Sequence, residues 1–212
     1  MQLIALLSML LLGSDSGTPA PDLATPDTTA TSPIAFIPLI GDIDDMSAMI
    51  VIDSIAASQG SKMILIEINS PGGSVSAGFA ISKAIEASNV SVACLVDGSA
   101  DSMAMYVLQS CDIRMMTKRS VLMIHQPSVG IEKGGRINDF GNAVRALTAL
   151  NHAMIEHIAA RMNIPAQVIV DAIDGNKEMW MYWETAIHFD AVDIVWKTQR
   201  EALAALRKSV GA

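Results

Sequence analysis

The sequence predicts an α/β fold with a mostly parallel central sheet. Short apolar, β-branched runs alternate along the chain with segments whose apolar residues recur every three or four positions. Gly, Pro, Asn and Asp separate these runs. The run Met63–Ile68 (MILIEI) is apolar almost continuously. That is the pattern of a strand buried on both faces, as in parallel sheets.

The elements follow in order. Ile34–Ile40 reads as a strand ended by Gly41. Asp44–Ser58 reads as a helix with a stripe of Met46, Met49, Ile50, Ile55 and Ala56, Ile52 falling off that face. After the Met63–Ile68 strand, Asn69-Ser70-Pro71-Gly72-Gly73 breaks the chain, and Ser76–Ser88 is helical through Phe79, Ile81 and Ile85. Val90–Val96 is a third strand, Asp97-Gly98-Ser99 a turn, and Ala100–Ser110 a short helix. Ile113–Met116 and Val121–His125 are short strands, and Ser128–Gly135 is a Gly-rich excursion. Arg136–Met162 is the longest helix, striped by Ile137, Phe140, Val144, Leu147, Leu150, Met154, Ile158 and Met162. Pro165–Ile173 and Trp183–Phe189 are further helices, Asp190–Trp196 a closing strand and Gln199–Val210 a helical tail.

Of the 212 residues 51% are hydrophobic and only 17% charged, against about 25% charged in an average soluble domain. Mean hydropathy is +0.39. This leaves a membrane protein or a subunit that buries extra surface against copies of itself. Residues 1–13 hold an apolar stretch, Leu3–Leu12. It is half the roughly 20 residues a spanning helix needs. It resembles a secretion signal without the positive start, so export or anchoring is one reading of this segment. Residues 14–33, rich in Pro, Thr, Ser and Asp, read as a disordered linker. The folded domain is expected over 34–198, with 199–212 as its tail. The net charge of −8 speaks against nucleic acid as a partner. Cys94 and Cys111 form no CxxC motif and are expected as buried free thiols.

Four constellations carry chemistry. Ser102, in Gly98-Ser99-Ala100-Asp101-Ser102-Met103, stands at a strand-to-helix turn. There the Met103 N–H would face a developing anion; a plain helix start is the competing reading. Asn69-Ser70-Pro71-Gly72-Gly73 allows close backbone approach, and the Gly73 N–H could supply a second donor. His125, in Met123-Ile124-His125-Gln126-Pro127, ends an apolar strand and is a candidate general base. Asp171, Asp174 and Glu178 are candidates for the acid that orients it, and spacing alone leaves the three open. His152, His157 and His188 are weaker candidates. His152 and His157 lie five apart rather than four, so no metal site is expected. No cofactor is implied.

Taken in order, Ile68–Gly78 (INSPGGSVSAG), Gly98–Met105 and Met123–Pro127 resemble the proteolytic subunit of the Clp protease family, the self-compartmentalised serine peptidases. The resemblance runs from about Ile34 to Val195. It implies a ClpP/crotonase-like fold with βα repeats and a long protruding helix, in homo-oligomeric rings that enclose a chamber, without a cofactor. Ser102 falls on the nucleophile and His125 on the general base. Gly73 and Met103 fall on the oxyanion-hole amides. Trp180 matches the aromatic position two residues after the family's acid, which gives that role to Glu178. Gly72, Val75 and Ser128 are the substrate-contacting candidates, and 128–135 would pair with an extended peptide or unfolded protein chain. Asp101 and Ala104 depart from the family's small residue and Gly. Asp101 could cap the helix or oppose the oxyanion. The segment 14–33 replaces the part that engages an AAA+ unfoldase in ring members, which speaks against that partner. The family implies the cytoplasm. Three rival readings remain: a Ser–Lys peptidase of the signal-peptide-peptidase type using Lys83 or Lys118, a catalytically inactive ring subunit, and a crotonase-type acyl-CoA enzyme, which pairs amides on an enolate oxyanion and needs no Ser–His pair.

Overall fold

The computed structural model describes residues 33–127 and 137–211. The apolar segment 1–13, all but the last residue of the 14–33 linker, and the 128–135 excursion with Ser128 lie outside the described residues. Seven strands form one sheet. β1 (Ile34–Ile40), β2 (Met63–Ser70), β3 (Val92–Asp101), β4 (Ile113–Thr117) and β7 (Ile194–Trp196) run side by side in that order, all parallel. β5 (Val121–Ile124) pairs in parallel with the far end of β3, and β6 (Met179–Met181) closes antiparallel on β5. Among the described residues the helices are α1 (Asp45–Ala57), α2 (Val75–Glu86), α3 (Met103–Gln109), α4 (Ile137–Arg161), α5 (Ala166–Ile173), α6 (Trp183–His188) and α7 (Gln199–Ser209).

Strand alternation divides the apolar residues into two layers. Ile64, Ile66 and Ile68 of β2 join Cys94 and Val96 of β3 in the large core, with Val51 and Ile55 of α1, Ile81 of α2 and Leu108 of α3. Met63 and Leu65 face the other way, with Ala93, Leu95 and Met115, and are covered by Ala202 and Leu206 of α7. The expected tail helix is thus the layer that covers the second face of the sheet. Both faces of β2 are buried, which is why its sequence is continuously apolar.

Three expectations change. α1 buries Ala48, Val51 and Ile55, and it exposes Met46, Met49 and Ile50. The small-residue side packs inward because α2 lies close against it. Asp97-Gly98-Ser99 is no turn: β3 continues to Asp101, paired first with β4 and then with β5. Cys94 and Cys111 are joined in a disulfide across 17 residues, with Cα atoms 5.9 Å apart, rather than free. β3 and the C-terminal end of α3 face each other across the core, so the two side chains meet.

Among its described side chains, the long helix α4 buries Met154, Ile155, Ile158 and Ala159 and exposes Val144. Its C-terminal end is tied to the sheet by a buried guanidinium. Arg114 on β4 donates to Gln109 Oε1 (2.7 Å), the Arg161 carbonyl (2.8 Å) and Asp193 Oδ1 (2.5 Å). Arg161 in turn donates to the carbonyls of Gln109 and Cys111. Among the described residues no helix is long and apolar enough to cross a membrane.

Candidate active site

The strand extension decides where Ser102 stands. β3 ends at Asp101, α3 begins at Met103, and Ser102 bridges them at φ 55°, ψ −117°. A side chain with a Cβ rarely takes that conformation and is held there only by its surroundings. Here the Ser102 N–H donates to the Met123 carbonyl at 2.8 Å, and its own carbonyl accepts from Met105 and Tyr106. Ser102 makes no side-chain cap to α3. Its hydroxyl is therefore not spent on starting the helix.

The Pro71-Gly72-Gly73 turn leans against this bend. A Cβ on Gly72 would stand 2.7 Å from the Asp101 carbonyl oxygen, 2.8 Å from the Met103 nitrogen and 2.9 Å from the Ser102 Cβ. Gly73, at φ 145°, forms an isolated parallel bridge with Ile43. Ile43 donates to the Gly72 carbonyl (2.8 Å) and accepts from the Ser74 N–H (2.7 Å). These bonds fix the turn and leave the Gly73 N–H uncommitted among the described residues. The Met103 N–H, at the first position of a helix, has no partner within that helix.

His125 follows directly after β5, which pairs with the segment of β3 leading to Ser102. Its Nε2 lies 2.7 Å from Ser102 Oγ. Gly73, Val75, Ser102, Met103, His125, Pro127 and Met154 line one cleft of about 80 Å³. The nucleophile and base candidates and both amide candidates thus meet in one place, with Val75 beside them and Gly72 beneath the bend. Neither Lys83 nor Lys118 lines this cleft. Lys118 instead lies over the Trp183 ring, 4.3 Å from its centre.

The acid side is less direct. Register pairs Met123 with Trp180 and Ile124 with Met179, so one step further sets His125 opposite Glu178. The Glu178 carboxylate accepts from the Trp180 indole N–H at 2.9 Å. Among the described residues no carboxylate comes within 4.0 Å of the His125 ring. Asp171 is exposed on α5 and accepts from Gln167 (2.7 Å), and Asp174 caps the end of that helix. The remaining histidines have other surroundings. His157 stacks on Tyr106 at 4.4 Å, and burial pushes its pKa down. His152 is exposed beside Glu156, and His188 packs on Phe189.

Asp101 ends β3, one residue before Ser102. One of its carboxylate oxygens, Oδ1, is buried and has no hydrogen-bond partner among the described residues. Burial pushes its pKa up; the Ser99 hydroxyl draws it down, Glu178 raises it further and His125 lowers it. The sequence pattern ends β3 at Val96 and puts Asp101 in a helix. The alternation Val96, Gly98, Ala100 was the available signal, obscured by the glycine.

The family model described as Clp protease matches residues 32–199. Proteolytic subunit 1 of the ATP-dependent Clp protease of Chlamydia pneumoniae is 37% identical over 135 residues, 62% of this chain and 69% of that one. The proteolytic subunit of Pleurastrum terricola is 30% identical over 164 residues, covering 75% and 82%. Subunit 3 of Rhodococcus jostii is 32% identical over 162 residues, covering 74% and 78%. The family match spans every strand from β1 to β7 and the whole Ser102–His125 cleft; the chain belongs to the Clp protease family and is a serine peptidase of that kind.

Proposed function

We propose that Ser102 is the nucleophile and His125 the general base of a peptide-bond hydrolysis. The observation that carries this is the 2.7 Å contact between His125 Nε2 and Ser102 Oγ, inside a cleft also lined by Gly73 and Met103. His125 takes the hydroxyl proton as Ser102 Oγ attacks the scissile carbonyl carbon. The carbonyl oxygen becomes an oxyanion held by the Gly73 and Met103 amides, each such donor being worth about 3 kcal/mol. The imidazolium then gives its proton to the leaving amine, which departs as the C–N bond breaks. Water, deprotonated by His125, attacks the acyl-enzyme and frees Ser102. Glu178 takes the acid position of the triad, one register step beyond the β5–β6 pairs. Val75 and Gly72 border the substrate, and Ser128 is proposed to meet its extended backbone.

The working form is an oligomer, in the manner of ring-forming relatives, with the cleft facing an enclosed chamber. The exposed apolar side chains Phe36 and Ile40 on the edge strand, and Met46, Met49 and Ile50 on α1, support subunit contacts. Hydrolysis by this route consumes no ATP, so short peptides suffice as substrates for the isolated protein. The test measures cleavage of a fluorogenic peptide by purified protein, fraction by fraction from size exclusion with light scattering. Ser102→Ala and His125→Ala are expected to abolish cleavage, while Lys83→Ala and Lys118→Ala retain it. Full activity in Ser102→Ala would overturn the assignment.

A further inference from the structure

The strand that delivers the nucleophile also delivers a carboxylate. Asp101, Met123 and Trp180 form one row across β3, β5 and β6. Side chains in such a row point to the same face of the sheet, as do residues two positions along each strand. His125 follows β5 by one residue and Glu178 precedes β6 by one, so the alternation, carried one step past each strand, puts both on the face of Asp101. The opposite face carries Leu122, Ile124, Met179 and Met181, all buried in the core. The Asp101 side of the sheet thus carries two carboxylates on the side of the histidine that touches Ser102, neither of them within 4.0 Å of its ring.

We propose that Asp101 is a positioning residue for His125, a second acid that stabilises its imidazolium from the β3 side while Glu178 does so from β6. This rests on the reading of Ser102 and His125 as nucleophile and base. The unpartnered Oδ1 is the main support. A buried carboxylate oxygen without a donor costs stability and is normally excluded. Here it sits one residue before Ser102, and His125 is the cation-forming group among the described residues that acts on it. Among the described residues, the groups that reach Asp101 are few. They are His125 beyond β5, Glu178 before β6, and the Ser99 hydroxyl on its own strand. The Pro71-Gly72-Gly73 turn against its backbone brings no charge. Glu178 already accepts from the Trp180 indole, whereas Asp101 Oδ1 has no donor among the described residues. The Ser99 hydroxyl, 3.4 Å from the Ser70 carbonyl, lowers the Asp101 pKa more than His125 does and leaves Oδ1 without a partner among the described residues.

The experiment follows kcat and KM for a fluorogenic peptide from pH 5 to 9. It compares the full-length protein with Asp101→Asn, Asp101→Glu, Asp101→Ala and Ser102→Ala. Removing a nearby negative charge makes His125 easier to deprotonate, so the acidic limb of kcat/KM moves to lower pH in Asp101→Asn. Together with this shift, kcat falls about tenfold or more and KM stays within about twofold. Asp101→Glu restores the limb to its original position and recovers part of kcat. The rate of fluorophosphonate labelling across the same pH range reads Ser102 and His125 without any substrate. It also shows whether each variant is folded at the site. If Asp101→Asn does not fold, the same comparison is made with Asp101→Ala against Asp101→Glu. A kcat within twofold of the parent, or higher, overturns the proposal. So does a loss of kcat with the limb unmoved, since a merely structural role would give that. Activity surviving in Ser102→Ala would instead sink the underlying nucleophile assignment, whatever the Asp101 variants do.

Discussion

Gly72→Ala is the substitution whose consequence is read most directly from the site. The added methyl would stand 2.7 Å from the Asp101 carbonyl oxygen, 2.8 Å from the Met103 nitrogen and 2.9 Å from the Ser102 Cβ. Ordinary contact begins near 3.4 Å, so the bend must yield by roughly 0.7 Å. The atoms in the way are two backbone atoms and the nucleophile's own Cβ, so no flexible side chain can absorb the shift. A displacement of this order between reacting groups costs about 10²-fold in rate. Gly72 also has φ 92°, where alanine costs about 1–3 kcal/mol of stability. For a chain of this size that lowers Tm by roughly 2–12 °C. Gly41→Ala separates the two effects, because Gly41 has φ 83° but nothing within 4 Å of the added methyl. Peptidase kinetics and calorimetry on both variants make the comparison. Both should lose stability, but only Gly72→Ala should lose about two orders of magnitude in kcat/KM. If Gly72→Ala is as active as Gly41→Ala, the idea that this turn sets the nucleophile's position is wrong.

Three further outcomes follow from the structure. Thiol titration of denatured, unreduced protein should find no free cysteine and, after reduction, two; replacing both Cys94 and Cys111 by Ala should cost about 3 kcal/mol by loop closure alone. Burial alone would push the Asp193 pKa up, but its hydrogen bonds and ion pair with Arg114 bring it below its ordinary value. Its contribution is therefore present above the unfolded carboxylate pKa and lost as pH falls through the lower folded value, so urea unfolding of Asp193→Asn should depend less on pH between about 2 and 5 than the parent. Asp101 has the opposite sign: its pKa is raised by burial, so its ionised form weakens the fold above the folded pKa, and Asp101→Asn should melt at a higher temperature at pH 7 than the parent. An unchanged or lower melting temperature would show that the carboxylate is not a burden on the fold.

Much of this architecture was legible because periodicity reports burial. β1, α1, β4, α5 and α7 fall where alternation or helical spacing placed them, to within one or two residues at each end. The order of the Gly-Gly, Ser102 and His125 motifs also placed three elements that the fold brings into one cleft. What failed depends on contacts between distant segments. β6 is only three residues long and exists because β5 offers it an antiparallel edge, which no local pattern announces. Met46, Met49 and Ile50 make a plausible inward stripe until α2 is known to pack on the Ala48 side. Seventeen residues separate Cys94 from Cys111, and their pairing follows from the strand and helix that bring them together. Asp101 reads as helix until β5 extends β3 through Gly98, at φ 130°.

The central claim, that Ser102 is the activated nucleophile, is tested most directly by mass spectrometry of the intact protein after reaction with a fluorophosphonate, followed by peptide mapping. The account predicts one adduct per chain, carried by Ser102, absent in Ser102→Ala and formed far more slowly in His125→Ala. An adduct on another residue, or no adduct on a preparation that still cleaves peptides, would contradict it.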